Sequence, residues 1–248
     1  MLRKAFARFF ALFQFRINLR LTRDKLCEHG PSLSGRVLDI GAGDQPYRAC
    51  FPNVENYVAT NTKAHYPGDA LVEIEPYTDT WIEDAASLPF EDGSFDGVLC
   101  FQVLSLIPDP DTVFREIARV LKEDGVLVLT TDFLYPKWDA DDVMRHTDRH
   151  LEMLAEKVGM RIERVESYGS VYTMRHCVLT RYIKDYPQQV TAAANPATKV
   201  WRLLVLLLYL VFTPLYSIAG YLVYFAERNR RDAFDYTVDY LLICRKKG

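Results

Sequence analysis

The sequence predicts an α/β fold, a Rossmann-like doubly wound sheet of about seven strands with helices on both faces. Three observations predict it. Short apolar runs alternate with helical patterns between Arg36 and Tyr168, the signature of strand–helix–strand units. The first run, "RVLDI" (Arg36–Ile40), feeds a turn holding Gly41 and Gly43, and in an open parallel sheet such a turn lies at the carboxyl edge, where ligands bind. The run "GVLVLTT" (Gly125–Thr131) is continuously apolar and rich in β-branched residues, as a strand covered on both faces should be.

In chain order, residues 1–29 form a basic amphipathic helix. Phe6, Phe9, Phe10, Phe13 and Ile17 recur at helical spacing among seven Arg and Lys residues, giving an apolar stripe. The apolar run is short and lacks a small-residue cleavage site, so a secretory signal is a poor fit. A helix lying in a membrane interface, a helix packed on the domain, and an Arg-rich transit peptide all fit. Gly30 and Pro31 end this helix. Strands follow at Arg36–Ile40, Asn56–Thr60, Thr80–Asp84, Phe95–Phe101, Gly125–Thr131 and Arg161–Tyr168. Before the fifth, Asp109 is an N-cap candidate and Pro110 a first helical residue. Val113, Ile117 and Val120 form an apolar face, and Gly125 is the predicted stop. His150–Met160 repeats the helical pattern. The tail holds a last strand, Val238–Cys244.

Composition narrows the function classes. Net charge is −3 and charged residues are 25%, so no overall basic field argues for nucleic acid. The five cysteines are scattered, odd in number and form no CxxC or Cys/His cluster. Neither a zinc site nor a disulfide framework is indicated, and reduced thiols are expected. No metal is expected.

The residues that carry chemistry come in a fixed order. Asp39 ends the first strand, and Gly41 and Gly43 let the backbone turn tightly and approach a ligand. Asn61 ends the second. Asp84 and Ala85 open "DAASLPF", followed by an acidic turn, "SFDGVLCF", "PDP", a helix and a Gly-led strand. Taken together, this string resembles the class I S-adenosylmethionine-dependent methyltransferases, in particular the type-11 methyltransferases, over about Arg36 to Ser167.

The resemblance implies S-adenosyl-L-methionine as cofactor. It implies that Asp39, Gly41 and Gly43 surround the methionine part, that Asn61 meets the ribose, and that Asp84 and Ala85 hold the adenine. Phe101 and Gln102 line the sulfonium site, where an aromatic face attracts a cation. It also implies that the tail enters the sheet antiparallel, beside the fifth strand. The chain departs from the pattern at four places: Gln45 for the third glycine, Asn61 for an acid, Ser105-Leu106 for Glu-His, and Trp138 for a histidine. If Asn61 reaches the ribose, Asn61→Asp should tighten binding. Pro46 argues against a nicotinamide dinucleotide. Methyl transfer is a displacement that positioning can accelerate, so the catalytic residues stay unknown. Arg145 and Thr147 match the segment after the fifth strand. His146, Asp148 and His150 are the groups there that could take a proton, and a surface or substrate-loop place is expected for the histidines.

Between Leu203 and Ala226 there is no charged side chain, a length that could cross a bilayer core. A crossing would strand the last strand on the far side of the membrane. Pro214 favours a kink, and cations flank both ends. Two apolar half-helices dipping into one leaflet are expected. A buried helical layer, a dimer interface and a true span are the alternatives. The expected organisation is therefore a helix over 1–29, a methyltransferase core over 30–198, an apolar membrane-associating or lid segment over 199–231, and the returning strand over 232–248. The expected function is methyl transfer to a lipid-like or membrane-delivered small molecule, on the cytoplasmic membrane face. The alternative is a membrane-bound interaction module with weak or lost activity. The acceptor and the oligomeric state are not legible.

Overall fold

The computed structural model describes residues 17–66, 68–135, 142–179, 182, 195–228 and 237–248, six of them in the last helix by backbone alone. Two compact units result. One comprises Thr22–Tyr168 with Asp239–Gly248, the other Met1–Leu21 with Gly169–Val238.

The first unit is a seven-stranded sheet in the order β3-β2-β1-β4-β5-β7-β6. Its strands are β1 (Gly35–Ile40), β2 (Val54–Thr62), β3 (Thr80–Ile82), β4 (Phe95–Phe101), β5 (Leu121–Asp132), β6 (Met160–Tyr168) and β7 (Asp239–Lys246). β1 to β5 are parallel, while β7 runs antiparallel between β5 and β6. The tail is thus the seventh strand of the same sheet. Strand order reverses between β1 and β4, and ligands bind beyond the carboxyl ends of strands at such a switch point.

The helices follow from their apolar faces and caps. In α1 (Ile17–His29), Leu26 is buried and Lys25 donates to Glu166 of β6 at 2.7 Å. A short α2 (Asp69–Ile74) precedes β3. α3 (Pro110–Val120) starts at the Asp109 cap, whose side chain accepts from Thr112 N at 3.1 Å. It buries Val113, Phe114, Ile117 and Val120. Each such side chain contributes roughly 1.5–3 kcal/mol when buried. α3 ends at Val120 rather than running to Gly125. Leu121 already pairs with Phe95, so sheet pairing takes over from the helix four residues early. α4 (Asp148–Lys157) starts at Thr147, whose hydroxyl accepts from His150 N at 3.2 Å. Leu151, Leu154 and Ala155 of α4 join Leu38, Val98, Leu127, Leu129 and Leu242 of the strands in one core.

Cys27 and Cys50 form a disulfide, with 4.3 Å between their Cα atoms. This corrects the expectation of reduced thiols for that pair. The fold brings α1 against the turn Arg48–Cys50, and sequence spacing holds no sign of that approach. Cys100, Cys177 and Cys244 are buried and outside any disulfide.

The second unit holds a helix over 171–179 (α5) and α6 (Pro196–Glu227). α6 is one unbroken helix of 32 residues, not two half-helices. A proline removes one backbone donor, and the helix continues past Pro214 despite that loss. Its last residue, Glu227, is buried. Its carboxylate accepts from Ser170 N at 3.1 Å and from the hydroxyls of Ser170 and Thr173. Tyr216 stacks on His176 at 4.5 Å and donates its hydroxyl to His176 O at 2.6 Å. Many other described side chains of α6 are exposed: Trp201, Leu204, Leu208, Val211, Leu215, Ile218, Leu222 and Phe225 are each at least 51% exposed. Among the described residues no helix is long and apolar enough to cross a membrane. The six side chains of α6 outside that count include Leu206 and Leu210. The predicted stripe Phe6–Phe13 and Trp138 lie outside the described residues.

Candidate cofactor site

A cleft of about 410 Å³ opens at the carboxyl ends of β1, β2 and β4. Gly41, Asn61, Asp84, Ala85, Phe101 and Gln102 line it. Of the two remaining expected residues, Asp39 lies two positions before Gly41 near the end of β1, and Gly43 N donates to Asn61 Oδ1 at 2.9 Å.

The glycine loop needs its glycines. Gly41 has φ +69°, and a Cβ there would stand 2.5 Å from Val103 Cγ2. Gly43 has φ +55°, with the Tyr66 hydroxyl 3.8 Å from where a Cβ would be. The third position, Gln45, also takes φ 55°, and its amide donates to Tyr77 O at 2.8 Å. The loop therefore keeps its course without a third glycine, because the side chain anchors the strained backbone.

Asp39 is buried at 3% exposure. Tyr57 donates its hydroxyl to Asp39 Oδ2, and the Arg48 guanidinium stacks over the Tyr57 ring at 3.8 Å. Among the described residues Oδ1 has no partner. Burial pushes the carboxyl up to about 7, against the opposing pull of Tyr57 and Arg48. A buried, half-satisfied carboxyl beside a glycine loop fits a ligand that brings a cationic donor, as the methionine ammonium of the cofactor does.

Asn61 is 1% exposed. Its Oδ1 accepts from Gly43 N at 2.9 Å, and its Nδ2 donates to Thr78 Oγ1 at 2.8 Å and Gly43 O at 3.4 Å. Asp84 lines the cleft, and its Oδ1 accepts from Ala86 N at 2.9 Å. Phe101 stacks on Phe51 at 5.9 Å and meets Tyr47 edge-on at 5.7 Å. Gln102, at φ 60°, donates to Thr130 Oγ1 at 3.4 Å and Asp239 Oδ1 at 3.3 Å. Its own carbonyl is buried and unpartnered among the described residues.

Sequence reasoning missed the support beneath these residues. Asp132 of β5 and Asp239 of β7 are register partners, both buried. Burial first, then its hydrogen-bonded neighbour Asp132, pushes the Asp239 carboxyl well above the carboxylate range. Two touching carboxyls cannot both ionise in such a place, so the pair shares a proton. The only sequence trace is an acid at the end of each apolar run, "VLVLTTD" and "VDYLLI". Tyr57 and Tyr66 were missed likewise.

Among the described residues after β5, the two histidines meet each other. His146 is fully buried, with Nδ1 3.1 Å from His150 Nδ1 and Nε2 3.4 Å from Leu104 O. Burial lowers its pKa to about 4. This corrects the expected surface or substrate-loop place for His146. Arg145 pairs with Asp142, and Thr147 caps α4. Among the described residues no cluster could hold a metal ion.

A doubly wound sheet with an antiparallel seventh strand and this cleft defines the class I S-adenosylmethionine-dependent methyltransferases. Residues 38–129 match the family model described as "Methyltransferase domain". The chain carries that domain, and S-adenosyl-L-methionine is its cofactor. It is similar to a phosphatidylethanolamine N-methyltransferase of Cereibacter sphaeroides, 26% identical over 149 residues, 58% of this chain and 73% of that one. The fold is that of the BH2331 protein of Bacillus halodurans C-125, at TM-score 0.55, 19% identity, 91% coverage of this chain and 99% of that one. It is also that of phosphoethanolamine N-methyltransferase 2 of Haemonchus contortus, solved with S-adenosyl-L-methionine, at TM-score 0.53, 20% identity, 89% coverage of this chain and 51% of that one.

Proposed function

We propose that this methyltransferase works on a membrane surface, with α6 lying in one leaflet, and methylates a lipid-like or membrane-delivered small molecule. The bare apolar surface of α6 carries this reading. Its exposed residues from Trp201 to Phe225 far exceed the scattered apolar exposure of ordinary soluble surfaces. A second copy would be the other cover for such a helix. Soluble helix pairs, however, carry charges beside the apolar seam, and Leu203–Ala226 carries none. Lys199 and Arg202 before that stretch and Arg228 after it suit headgroups at both ends. The similarity to a phosphatidylethanolamine N-methyltransferase supports an acceptor of lipid type. The cytoplasmic face is the proposed place.

The bound cofactor supplies an activated methyl group. The chain's part is to hold the cofactor on the Gly41–Gly43 loop, to offer Asp39 and Asp84 to its donors, and to present the Gln102 carbonyl at the cleft wall. Flotation of the full chain with vesicles tests the membrane half of the proposal. Co-flotation with anionic vesicles is expected, weakened and less salt-sensitive when Met1–Arg20 is deleted, since basic residues near an anionic leaflet contribute about 1 kcal/mol each. A chain that stays at the bottom of the gradient refutes it. The interaction-module reading, which Asn61 and Ser105 favour, requires instead that cofactor binding be absent at millimolar ligand.

A further inference from the structure

The residue at the end of β2 is where the family resemblance expects an acid for the cofactor's ribose. Here it is Asn61, and both ends of its amide are held by the protein. An asparagine amide offers two acceptor sites and two donors. Oδ1 takes Gly43 N at 2.9 Å and the Tyr66 hydroxyl at 3.5 Å, while Nδ2 gives to Thr78 Oγ1 at 2.8 Å and Gly43 O at 3.4 Å. The orientation of the amide is not arbitrary. Gly43 N can only donate and Gly43 O can only accept, so the backbone itself fixes which end is oxygen. Thr78 spends its own hydroxyl hydrogen on Ile74 O at 3.1 Å and is left as an acceptor for Nδ2. Every bond of this clamp is of one sense. Asn61 ties the glycine loop, β2 and the turn before β3 into one frame.

Tyr66 is placed differently. It lines the cleft, and its hydroxyl stands over Gly43. Its contact with Asn61, at 3.5 Å, is at the limit of a hydrogen bond. A hydroxyl so weakly held turns readily to a ligand, as donor or acceptor. Burial, then the nearby Asp44, raises its pKa, so the phenol keeps its proton.

Accepting the cleft as the cofactor site, we infer that Tyr66 is the residue that meets the cofactor's ribose hydroxyls, and that Asn61 is a positioning residue that clamps the glycine loop. An aspartate at 61 would lose both donations and set a carboxylate against Gly43 O. Asn61→Asp therefore weakens cofactor binding, where a ribose contact would have tightened it.

Calorimetry on the full chain tests this with S-adenosylhomocysteine and its analogues lacking the ribose 2′- or 3′-hydroxyl. In the unmutated protein, loss of the hydroxyl that Tyr66 meets costs about three- to tenfold in Kd. In Tyr66→Phe the same loss costs nothing further. In Asn61→Ala all three ligands weaken by one common factor, and Asn61→Asp weakens them too. Thr78→Val, which loosens the clamp without touching Asn61, repeats that common factor in smaller measure and serves if Asn61→Ala does not fold. A tighter Asn61→Asp, or an Asn61→Ala penalty that disappears with one deoxy analogue, overturns the inference. Failure of the unmutated chain to bind any of the three overturns the cofactor reading on which it rests.

Discussion

β5 and α6 are both long apolar runs, and they meet opposite fates. Leu127, Val128 and Leu129 are at most 4% exposed, covered by strands and helices. Leu208, Val211 and Leu215 are 57–69% exposed. What separates them is cover. In β5 the apolar residues build the fold, and in α6 they are exposed, with lipid as their proposed cover. A substitution in the first region should therefore change stability, and one in the second should change association.

The largest effect is expected at the sheet. Phe114→Ala removes a fully buried ring from the α3 face and should cost about 3–5 kcal/mol in a urea titration. Leu215→Ala should cost within about 0.5 kcal/mol, as surface substitutions do. Equal costs would erase the contrast. Next, Leu208→Glu with Leu215→Glu should abolish vesicle co-flotation while leaving cofactor affinity unchanged. Retained flotation would place the membrane contact elsewhere. Asp84→Ala should then weaken cofactor binding by about 1.5–3 kcal/mol, typical of a lost charge-assisted bond, with no change in flotation.

The smallest effect is a pH dependence. Asp39 titrates near 7 in the fold against 3.8 unfolded. Between these values the native state holds a proton that the unfolded state has released. Stability of the cofactor-free protein should therefore fall as pH rises from about 4 to about 7. A bound cationic group favours the ionised carboxylate, so cofactor binding should release a proton in the same window. Calorimetry in buffers of different ionisation enthalpy reads that release, and Asp39→Asn should remove it. Proton uptake instead would put the cationic group somewhere other than beside Asp39.

What was legible follows the same division. The alternating pattern located all the strands from β1 to β7 to within a few residues, because each is a local run with a local turn. Asp84, Ala85, Phe101 and Gln102 were legible because they sit at fixed offsets from strand ends. The Asp132–Asp239 pair, the Cys27–Cys50 bridge and the Tyr57–Asp39 bond were not. Each joins segments that only tertiary packing brings together. Asn61 was legible as a place at the cleft, while its four hydrogen bonds were not, since they depend on where the fold brings Gly43, Tyr66 and Thr78. Pro214 misled, because a proline tells of one missing donor and not of the helix around it.

The proposed function joins a cofactor cleft and a membrane-lying helix in one chain for methyl transfer at a lipid surface. Methyl-labelled S-adenosylmethionine, the full chain and vesicles containing phosphatidylethanolamine test it most directly, by counting label in the lipid extract. Label is expected in the lipid with the unmutated chain, and is expected to be lost in both Asp84→Ala and the Leu208→Glu, Leu215→Glu chain. Cofactor binding and vesicle binding with no label in any lipid extracted would contradict the lipid acceptor. Undiminished label from the chain with both α6 substitutions would contradict the role given to that helix.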